Sequence, residues 1–332
     1  MAWDAILGQE FAKRILQAHL ADGRVAHAYL LAGPDGVGKR LVALEMAKAL
    51  NCAASGSRPP GSPSTRAMAG CDACSTCLQI NRGGHPDVHV LSPAGASEAI
   101  RIDAIRQLLG RIALRPFNAA FQVAIIDGAE RLTEEAANSV LKALEEPPAH
   151  TRFVLTTSRL SDCLPTVVSR CQLVRCQPLP LETIMRILIE RASCAADTAR
   201  AIAALARGSA SKALELAGRW EAREEIAARL ASPRASVWVE QPLPETRQEV
   251  GHLLEEMSAR LRDLAVAAAG LPAPAAQAVD ADRCLETALE LISLRESLDQ
   301  FVSPRLVASL AREKWMDLNA PPIESSHWAH LP

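Results

Sequence analysis

The sequence predicts a parallel α/β domain in the first half of the chain and helical segments after it. Apolar runs of strand length alternate with stretches of helical spacing, which is typical of a parallel sheet covered by helices on both faces. After residues 177–182 no further strand-like run follows, and 3% aromatic residues with abundant Ala, Leu and Arg favour helices. The strand-like runs are residues 28–32, 122–127, 152–158 and 171–176.

The length and net charge of the chain limit the classes of protein to which it can belong. A chain of 332 residues is long enough for two or three domains. A formal net charge of −2 argues against a protein that coats nucleic acid through bulk positive charge. Residues 1–10 do not resemble a secretion signal, and no apolar run has the length of a membrane span, so we expect a cytoplasmic protein. The nine cysteines are then not expected to form a disulfide framework.

A glycine-rich turn at residues 33–40, GPDGVGKR, lies between a predicted strand and a predicted helix. It differs at its last position from the phosphate-binding pattern G-x-x-x-x-G-K-[ST], in which backbone N–H groups and a helix N-terminus hold phosphates. Lys39 is placed to reach the terminal phosphates, but Arg40 stands where a hydroxyl would hold Mg²⁺. The candidate nucleotide-binding residues of this turn are Gly33, Gly36, Gly38, Lys39 and Arg40.

Two later strand ends extend the candidate nucleotide site. Asp127 is the acid that would hold Mg²⁺ beside a phosphate loop, although an isolated Asp at a strand end is more simply a loop acid. The next residue is Gly128 instead of the Glu that polarises the attacking water in ATPases, and Glu130 would need a shifted backbone to substitute. Thr157, at the end of the following strand, is a candidate for sensing a γ-phosphate.

Residues 71–77, CDACSTC, place Cys71, Cys74 and Cys77 at the C-x₂-C-x₂-C spacing of a metal site. A structural Zn²⁺ takes four ligands in a tetrahedron, so a fourth must come from elsewhere in the chain. Cys52 is the favoured fourth ligand, and His85 is the competitor. The alternative is three reduced structural thiols, but such thiols are usually scattered among apolar residues.

Two arginine features are ambiguous when each is taken alone. Arg170 in SRC, residues 169–171, is more simply a charge that faces solvent. Arg101, Arg106 and Arg111 lie in a predicted helix, where they either direct positive charge toward DNA or form an ordinary solvated face.

Taken together, these segments resemble the bacterial clamp-loader subunits of the AAA+ class. The segments that carry the resemblance, from residue 6 to about residue 217, are GPDGVGK, the four cysteines, HPDV (85–88), NSVLKALEEPP (138–148) and SRC. The family implies a RecA-like AAA+ parallel sheet domain over residues 1–176, with a zinc module inserted at 52–77. It also implies a small helical lid domain over 177–219 and a C-terminal helical collar domain over 220–332.

Departures from the family pattern indicate which kind of subunit this is. The motor subunit is expected to carry Ser or Thr after the loop Lys, Glu after the strand-end Asp, and Arg in the lid motif G-S-x-R-D-A. This chain has Arg40, Gly128 and Ser211 at those positions. We therefore predict a subunit whose own ATPase activity is absent or weak, with an ATP-hydrolysing gamma/tau-type motor as the alternative. A zinc-dependent nucleic-acid-binding module with a vestigial phosphate loop is disfavoured by the acidic net charge and scarce aromatics.

The resemblance also implies partners and a mechanism. A non-hydrolysing subunit of this family acts as a stator within the DNA polymerase III holoenzyme. It lends Arg170 as an arginine finger, in trans, to the ATP of a neighbouring subunit during loading of the clamp. The implied partners are the gamma/tau and delta subunits, the beta sliding clamp and primer-template DNA. The implied cofactor is a structural Zn²⁺, and binding of ATP by this chain is left open.

Overall fold

The computed structural model describes residues 2–53, 69–93, 99–231, 243–268, 281–300 and 302–319. Within these ranges the chain divides into two compact units, Met1–Gly218 and Arg219–Pro332. The low-complexity stretch at 54–65, inside the predicted zinc module, lies outside the described residues. The three-domain division that the sequence predicts stays a prediction.

The first unit is built on a five-stranded parallel sheet with the strand order β2-β3-β4-β1-β5. The predicted parallel α/β fold is therefore confirmed. The strands are β1 (Ala28–Ala32), β2 (Val88–Leu91), β3 (Gln122–Asp127), β4 (Thr151–Thr157) and β5 (Gln172–Arg175). Four of them coincide with the apolar runs in the sequence. The fifth, β2, was missing from the prediction, and its four-residue sequence VHVL is interrupted by His89.

Helices cover both faces of the sheet and bury its central strands. The helices of the first unit are α1 (Glu10–Ala21), α2 (Lys39–Asn51), α3 (Ser75–Asn81), α4 (Ile102–Ile112), α5 (Glu134–Glu145), α6 (Pro165–Ser169), α7 (Leu181–Ala192), α8 (Ala196–Ala206) and α9 (Ala210–Gly218). Alternate residues of β1 point to opposite cores: Tyr29 and Leu31 pack with α1 and α2, whereas Leu30 packs with α4 and α5. This two-sided burial explains the continuous apolar strand sequences.

The order of the strands brings the candidate site together. Because β3, β4 and β1 are neighbours, their carboxyl ends meet at the same edge of the sheet. Asp127 at the end of β3 is paired with Thr156, and Ala32 at the end of β1 is paired with Thr157. The glycine-rich turn follows Ala32 directly, so it lies beside the predicted strand-end acid.

Asp87 of the HPDV segment anchors the loop that leads into β3. Its carboxylate accepts hydrogen bonds from the backbone N–H groups of Phe117, Asn118 and Ala119 at 2.7–2.9 Å. Burial raises the pKa of Asp87, but these donors outweigh burial and hold the pKa below its ordinary value. The HPDV segment thus has a structural role, which is to hold the loop before β3, and it does not line the candidate nucleotide site.

The second unit is helical throughout its described residues. Its helices are α10 (Trp220–Ala231), α11 (Arg247–Ala268), α12 (Ala281–Asp299) and α13 (Pro304–Asn319). Met257, Leu291 and Trp315, from three of these helices, are buried in a common core. Arg223 of α10 pairs with Glu256 of α11 at 2.9 Å. No described helix is both long and apolar enough to cross a membrane.

Candidate nucleotide site and metal centre

The phosphate loop joins β1 to α2, and its glycines have distinct backbone roles. Gly36 and Gly38 adopt positive φ angles of 74° and 99°, a conformation that other residues rarely adopt. Gly33 faces a close neighbour instead, because a Cβ at this position would lie 2.2 Å from the carbonyl oxygen of Cys176. The loop can therefore take this path only with glycine at these three positions.

Lys39 is buried at the first position of α2, and its ammonium turns back across the loop. Nζ donates to the carbonyl oxygens of Gly33 at 2.7 Å and Pro34 at 2.8 Å, and lies 3.6 Å from the carboxylate of Asp35. The side chain of Asp35 is 79% exposed. A phosphate oxygen entering the loop would meet a charge that is already positioned.

Arg40 occupies the position where the phosphate-binding pattern has a hydroxyl. Its Nη1 lies 3.6 Å from Oδ2 of Asp127 and donates to the hydroxyl of Ser92 at 3.3 Å. The other oxygen of Asp127, Oδ1, accepts from the hydroxyl of Thr156 at 2.6 Å. Both carboxylate oxygens of the strand-end acid thus have partners on the protein.

Glu130 reaches the same cavity through a turn that the sequence did not reveal. Gly128 has a positive φ of 94°, and a short 3₁₀ turn follows over Ala129–Arg131. Oε1 of Glu130 accepts from the backbone N–H and the hydroxyl of Ser158, whereas Oε2 is buried without a hydrogen-bond partner among the described residues. Burial raises the pKa of Glu130, but the hydrogen bonds from Ser158 outweigh it and lower the pKa, which keeps the group ionised at neutral pH.

The position of Thr157 differs from the prediction. Its hydroxyl is buried and accepts from the backbone N–H of Arg159 at 3.2 Å and from the thiol of Cys163 at 3.3 Å. Its neighbours Thr156 and Ser158 line the cavity instead. Successive side chains of a strand point to opposite faces, so the cavity receives every second residue at this strand end.

The cavity has a volume of about 720 Å³ and is lined by the phosphate loop, the ends of β3 and β4, and α7 and α9. The lid motif has Ser211 where a motor subunit is expected to carry Arg. Arg191, in the last turn of α7, lines the same cavity and was missed by the sequence analysis. No motif marks it, because it comes from a different helix.

The first turn of α9 is hydrogen-bonded to the phosphate loop. The backbone N–H groups of Ala210 and Ser211 donate to the carbonyl oxygen of Gly36 at 2.9 Å and 3.3 Å. A Cβ at Gly36 would lie 2.1 Å from the hydroxyl oxygen of Ser209. Helix α9 and the loop therefore pack directly, with no space for a side chain between them.

The four predicted cysteines come together in one cluster. The sulfur atoms of Cys52, Cys71, Cys74 and Cys77 all lie within 4.8 Å of one another, and Cys52 and Cys74 are separated by 3.9 Å. Four thiolates at about 2.3 Å from Zn²⁺ would be separated by roughly 3.8 Å in a regular tetrahedron, so the set fits the ion. The competitor His85 is engaged elsewhere, because its Nδ1 accepts from the N–H of Asp87 at 3.1 Å.

Local hydrogen bonds prepare part of this cluster for thiolate chemistry. Burial raises the pKa of Cys74, but the N–H groups of Cys77 and Ala53 and the neighbouring thiols outweigh it and bring the pKa to about 6. Burial raises the pKa of Cys77 above its ordinary value. A bound cation is what would allow all four sulfur atoms to ionise together.

An ion pair between the buried Lys48 and the exposed Asp72 attaches the cysteine turn to helix α2. Lys48 of α2 pairs with Glu45 on the same helix and, at 2.5 Å, with Asp72 between the first two cysteines. Asn81 also donates to Asp72 at 3.1 Å. Helix α2 therefore begins at the phosphate loop and ends at Cys52 in the cluster.

Arg170 lies at the C-terminal end of α6, and its side chain is 34% exposed. Its guanidinium donates to the carbonyl oxygen of Thr166 at 3.0 Å and pairs with Glu145 at the end of α5. Within the described part of the first unit it is not among the residues that line the nucleotide cavity. A group from outside the chain can therefore bind this guanidinium only if it shares or replaces the contacts with Thr166 and Glu145.

Arg101, Arg106 and Arg111 are all exposed. They lie at the start and along the outer side of α4, opposite the buried Ile105 and Leu108. This exposure agrees equally with a DNA-facing surface and with an ordinary solvated helix face.

A glycine-rich loop on a five-stranded parallel sheet, a strand-end acid and helices beside the cavity define the RecA-like fold of the AAA+ class, with a candidate nucleotide site at the loop. Within that class, the chain belongs to the family described as DNA polymerase III, delta subunit, whose model matches residues 8–180. The resemblance to clamp-loader subunits is thereby confirmed.

Individual relatives agree with this assignment. The chain is 35% identical to the DNA polymerase III subunit delta-prime of Pseudomonas aeruginosa over 235 residues, 66% of this chain and 67% of that protein. It is 31% identical to the delta-prime subunit of Escherichia coli, covering 70% of this chain and 66% of that protein. It is also 34% identical to the tau subunit of Salmonella typhimurium, covering 54% of this chain and 26% of that protein. The chain therefore matches about two thirds of the length of these delta-prime relatives and about a quarter of the tau subunit.

Among solved structures, a DNA polymerase III gamma subunit-related protein from Thermotoga maritima has a TM-score of 0.53 with 18% identity. The similarity covers 92% of this chain and 99% of that one. At this level of identity it supports the fold.

Proposed function

We propose that this chain is a delta-prime-type stator of the DNA polymerase III clamp loader. It hydrolyses little or no ATP itself and supplies Arg170 to the ATP site of a neighbouring gamma/tau subunit. In this role its partners are the gamma/tau and delta subunits, the beta sliding clamp and primer-template DNA. The family membership supports the clamp-loader assignment, and the choice of stator over motor rests on the chemistry of the cavity.

The observation that carries the stator role is the engagement of Asp127. Phosphoryl transfer in phosphate-loop enzymes needs Mg²⁺ held by the loop hydroxyl and the strand-end acid, and a group that orients the attacking water. Here Arg40 replaces the hydroxyl and lies 3.6 Å from Asp127, while Thr156 takes the other oxygen. Gly128 replaces the usual Glu, and its φ of 94° disfavours any residue with a side chain.

Glu130 is the strongest argument for the alternative, an ATP-hydrolysing motor. Its carboxylate lines the cavity and is ionised, as a water-orienting base should be. However, Oε1 is already held by two donors from Ser158, and no hydroxyl follows Lys39 to complete a Mg²⁺ site. These contacts favour the stator.

The finger role requires a guanidinium at a surface where two subunits meet. The partial exposure of Arg170 and its position at a helix end support this role. A guanidinium presents several N–H donors in a planar fork, so it can hold phosphate oxygens while Thr166 and Glu145 orient it. Positive charge supplied there stabilises the charge that spreads over the γ-phosphate oxygens during transfer.

The cysteine cluster fits a structural Zn²⁺ in this proposal. Cys52, Cys71, Cys74 and Cys77 would hold the ion, which would contribute folding energy because four protein ligands leave no open coordination position. The metal would fix the end of α2 remote from Lys39.

The isolated chain is expected to be nearly inert as an ATPase. We would measure phosphate release by the purified full chain at saturating ATP and Mg²⁺, next to a purified gamma/tau subunit as the positive control. Turnover at background level supports the stator, because the Mg²⁺ position and the water-orienting Glu are both replaced. Turnover comparable to that of gamma/tau, abolished by Lys39→Ala, would establish the motor alternative instead.

A further inference from the structure

The positive charge of Arg40 lies where a phosphate-loop site normally needs its divalent cation. Mg²⁺ requires oxygen ligands in near-ideal octahedral geometry. Arg40 offers none, because a guanidinium has donors and no lone pair to give a metal. Its Nη1 is 3.6 Å from Asp127 Oδ2, and Oδ1 of the same carboxylate accepts from Thr156 at 2.6 Å. To bind Asp127, a divalent cation would have to displace Arg40 or Thr156 from the carboxylate. It would also lie close to the positive charge of Arg40.

The remainder of the site still suits an anion. The loop turns at Gly36 and Gly38 and leads into α2, and no backbone hydrogen bond within the described ranges uses the N–H groups of residues 37–40. Lys39, 7% exposed, lies under the same turn, and Arg191 lines the same cavity. Unused N–H donors beside a buried cation at the start of a helix are the features that hold phosphates.

We propose that this cavity binds a nucleoside di- or triphosphate without a divalent cation, with the Arg40 guanidinium taking the place of Mg²⁺. The guanidinium of Arg40 would lie between the phosphates and Asp127. In hydrolysing sites the metal ion has this role. Lys39 would keep its two carbonyl contacts and direct its third N–H to a phosphate oxygen, in place of the distant contact in which Nζ lies 3.6 Å from Oδ1 of the exposed Asp35.

The consequence is a nucleotide that stabilises the subunit and is not consumed. The phosphates would lie against the loop whose Gly36 carbonyl already accepts from the first turn of α9. Binding would therefore strengthen the contact between the loop and the helices that close the cavity. The stator role does not require this ligand, so the inference goes beyond the proposed function and stands or falls separately from it.

The test is a comparison of binding with and without magnesium. A fluorescent ADP analogue is titrated with the purified full chain, once with excess EDTA and once with Mg²⁺, and competition with unlabelled ADP and ATP gives their affinities. The proposal predicts dissociation constants that agree within about twofold between the two conditions, since no metal takes part. Lys39→Ala should abolish binding in both.

Arg40→Thr is the decisive variant, because it removes the guanidinium and restores the hydroxyl of the phosphate-binding pattern. Its affinity in EDTA should fall by about tenfold or more, and Mg²⁺ should recover a large part of that loss. Arg24→Thr is the matched control: Arg24 is exposed, lies outside the cavity lining, and its variant should bind like the wild type under both conditions.

Several outcomes would overturn the proposal. These are binding by the wild type that requires Mg²⁺, binding that survives Lys39→Ala, and Arg40→Thr with unchanged affinity in EDTA. Absence of binding by the wild type in both conditions, in a chain with a cooperative melting transition, would do the same. None of these results measures hydrolysis, so the stator role is tested separately, by the ATP turnover of the isolated chain and by Arg170→Ala in the assembled loader.

Discussion

Replacing Arg170 with Ala is expected to slow the clamp- and DNA-stimulated ATPase of the assembled loader. Arginine fingers supplied by a neighbour contribute roughly 10³–10⁵ to the rate at the site they complete. Because this chain would border a single motor site, hydrolysis at the other sites should continue. The expected result is a partial loss of total ATPase activity and a larger loss of clamp loading, measured on reconstituted complexes.

The variant should leave folding and assembly intact, because the side chain makes its contacts at the surface with Thr166 and Glu145. Arg170→Lys should rescue poorly, since a point charge cannot form the bidentate contact of a guanidinium. Arg186→Ala is the matched control: Arg186 also pairs with a Glu, at 2.6 Å, on an exposed helix face. If a fully assembled loader with Arg170→Ala hydrolysed ATP and loaded clamps at the wild-type rates, Arg170 would be only a surface charge.

Removing a cysteine from the cluster is expected to remove the metal and destabilise the first unit. The wild type should contain a single zinc ion per chain, with tetrahedral thiolate ligation at about 2.3 Å per bond by X-ray absorption. Cys74→Ser should bind far less zinc and melt at a lower temperature, because metal-binding energy in such sites is folding energy. Chelation of the wild type should produce the same shift.

Cys194→Ser provides the control for loss of a thiol, since Cys194 is half-buried and lies outside the cluster. It should keep full zinc content and a nearly unchanged melting temperature. Wild-type protein purified without zinc in metal-replete medium, or Cys74→Ser with full zinc content, would contradict a structural zinc centre.

Sequence reasoning identified the features whose signal is local. The phosphate loop, Asp127 and the three cysteines Cys71, Cys74 and Cys77 each follow from residue types at short spacing. Apolar runs predicted β1, β3, β4 and β5. The runs of β1, β3 and β4 are nearly continuous because these strands are buried on both faces. The choice between Cys52 and His85 needed distances: Cys52 lies 3.9 Å from Cys74, whereas His85 is bonded to the N–H of Asp87.

The remaining features depend on how elements meet in space. Strand β2 was not predicted, because the apolar pattern of its four residues is interrupted by His89. The sequence predicted Thr157 in the cavity, but its neighbours Thr156 and Ser158 line it instead. A difference of one residue along a strand places the side chain on the opposite face. Arg191 comes from a helix that no motif links to the phosphate loop, and the turn that brings Glu130 into the cavity depends on the positive φ of Gly128.

The most direct test of the central claim adds this chain to gamma/tau. The claim is that a subunit with little or no ATPase of its own completes a neighbour's ATP site. The measurement is ATP turnover by purified gamma/tau together with delta, clamp and primed DNA, titrated with the wild-type chain or with Arg170→Ala. We expect turnover to rise to saturation with the wild type and to rise much less with the variant at equal incorporation into the complex. Turnover that does not respond to the chain, or that responds equally to both forms, would contradict it.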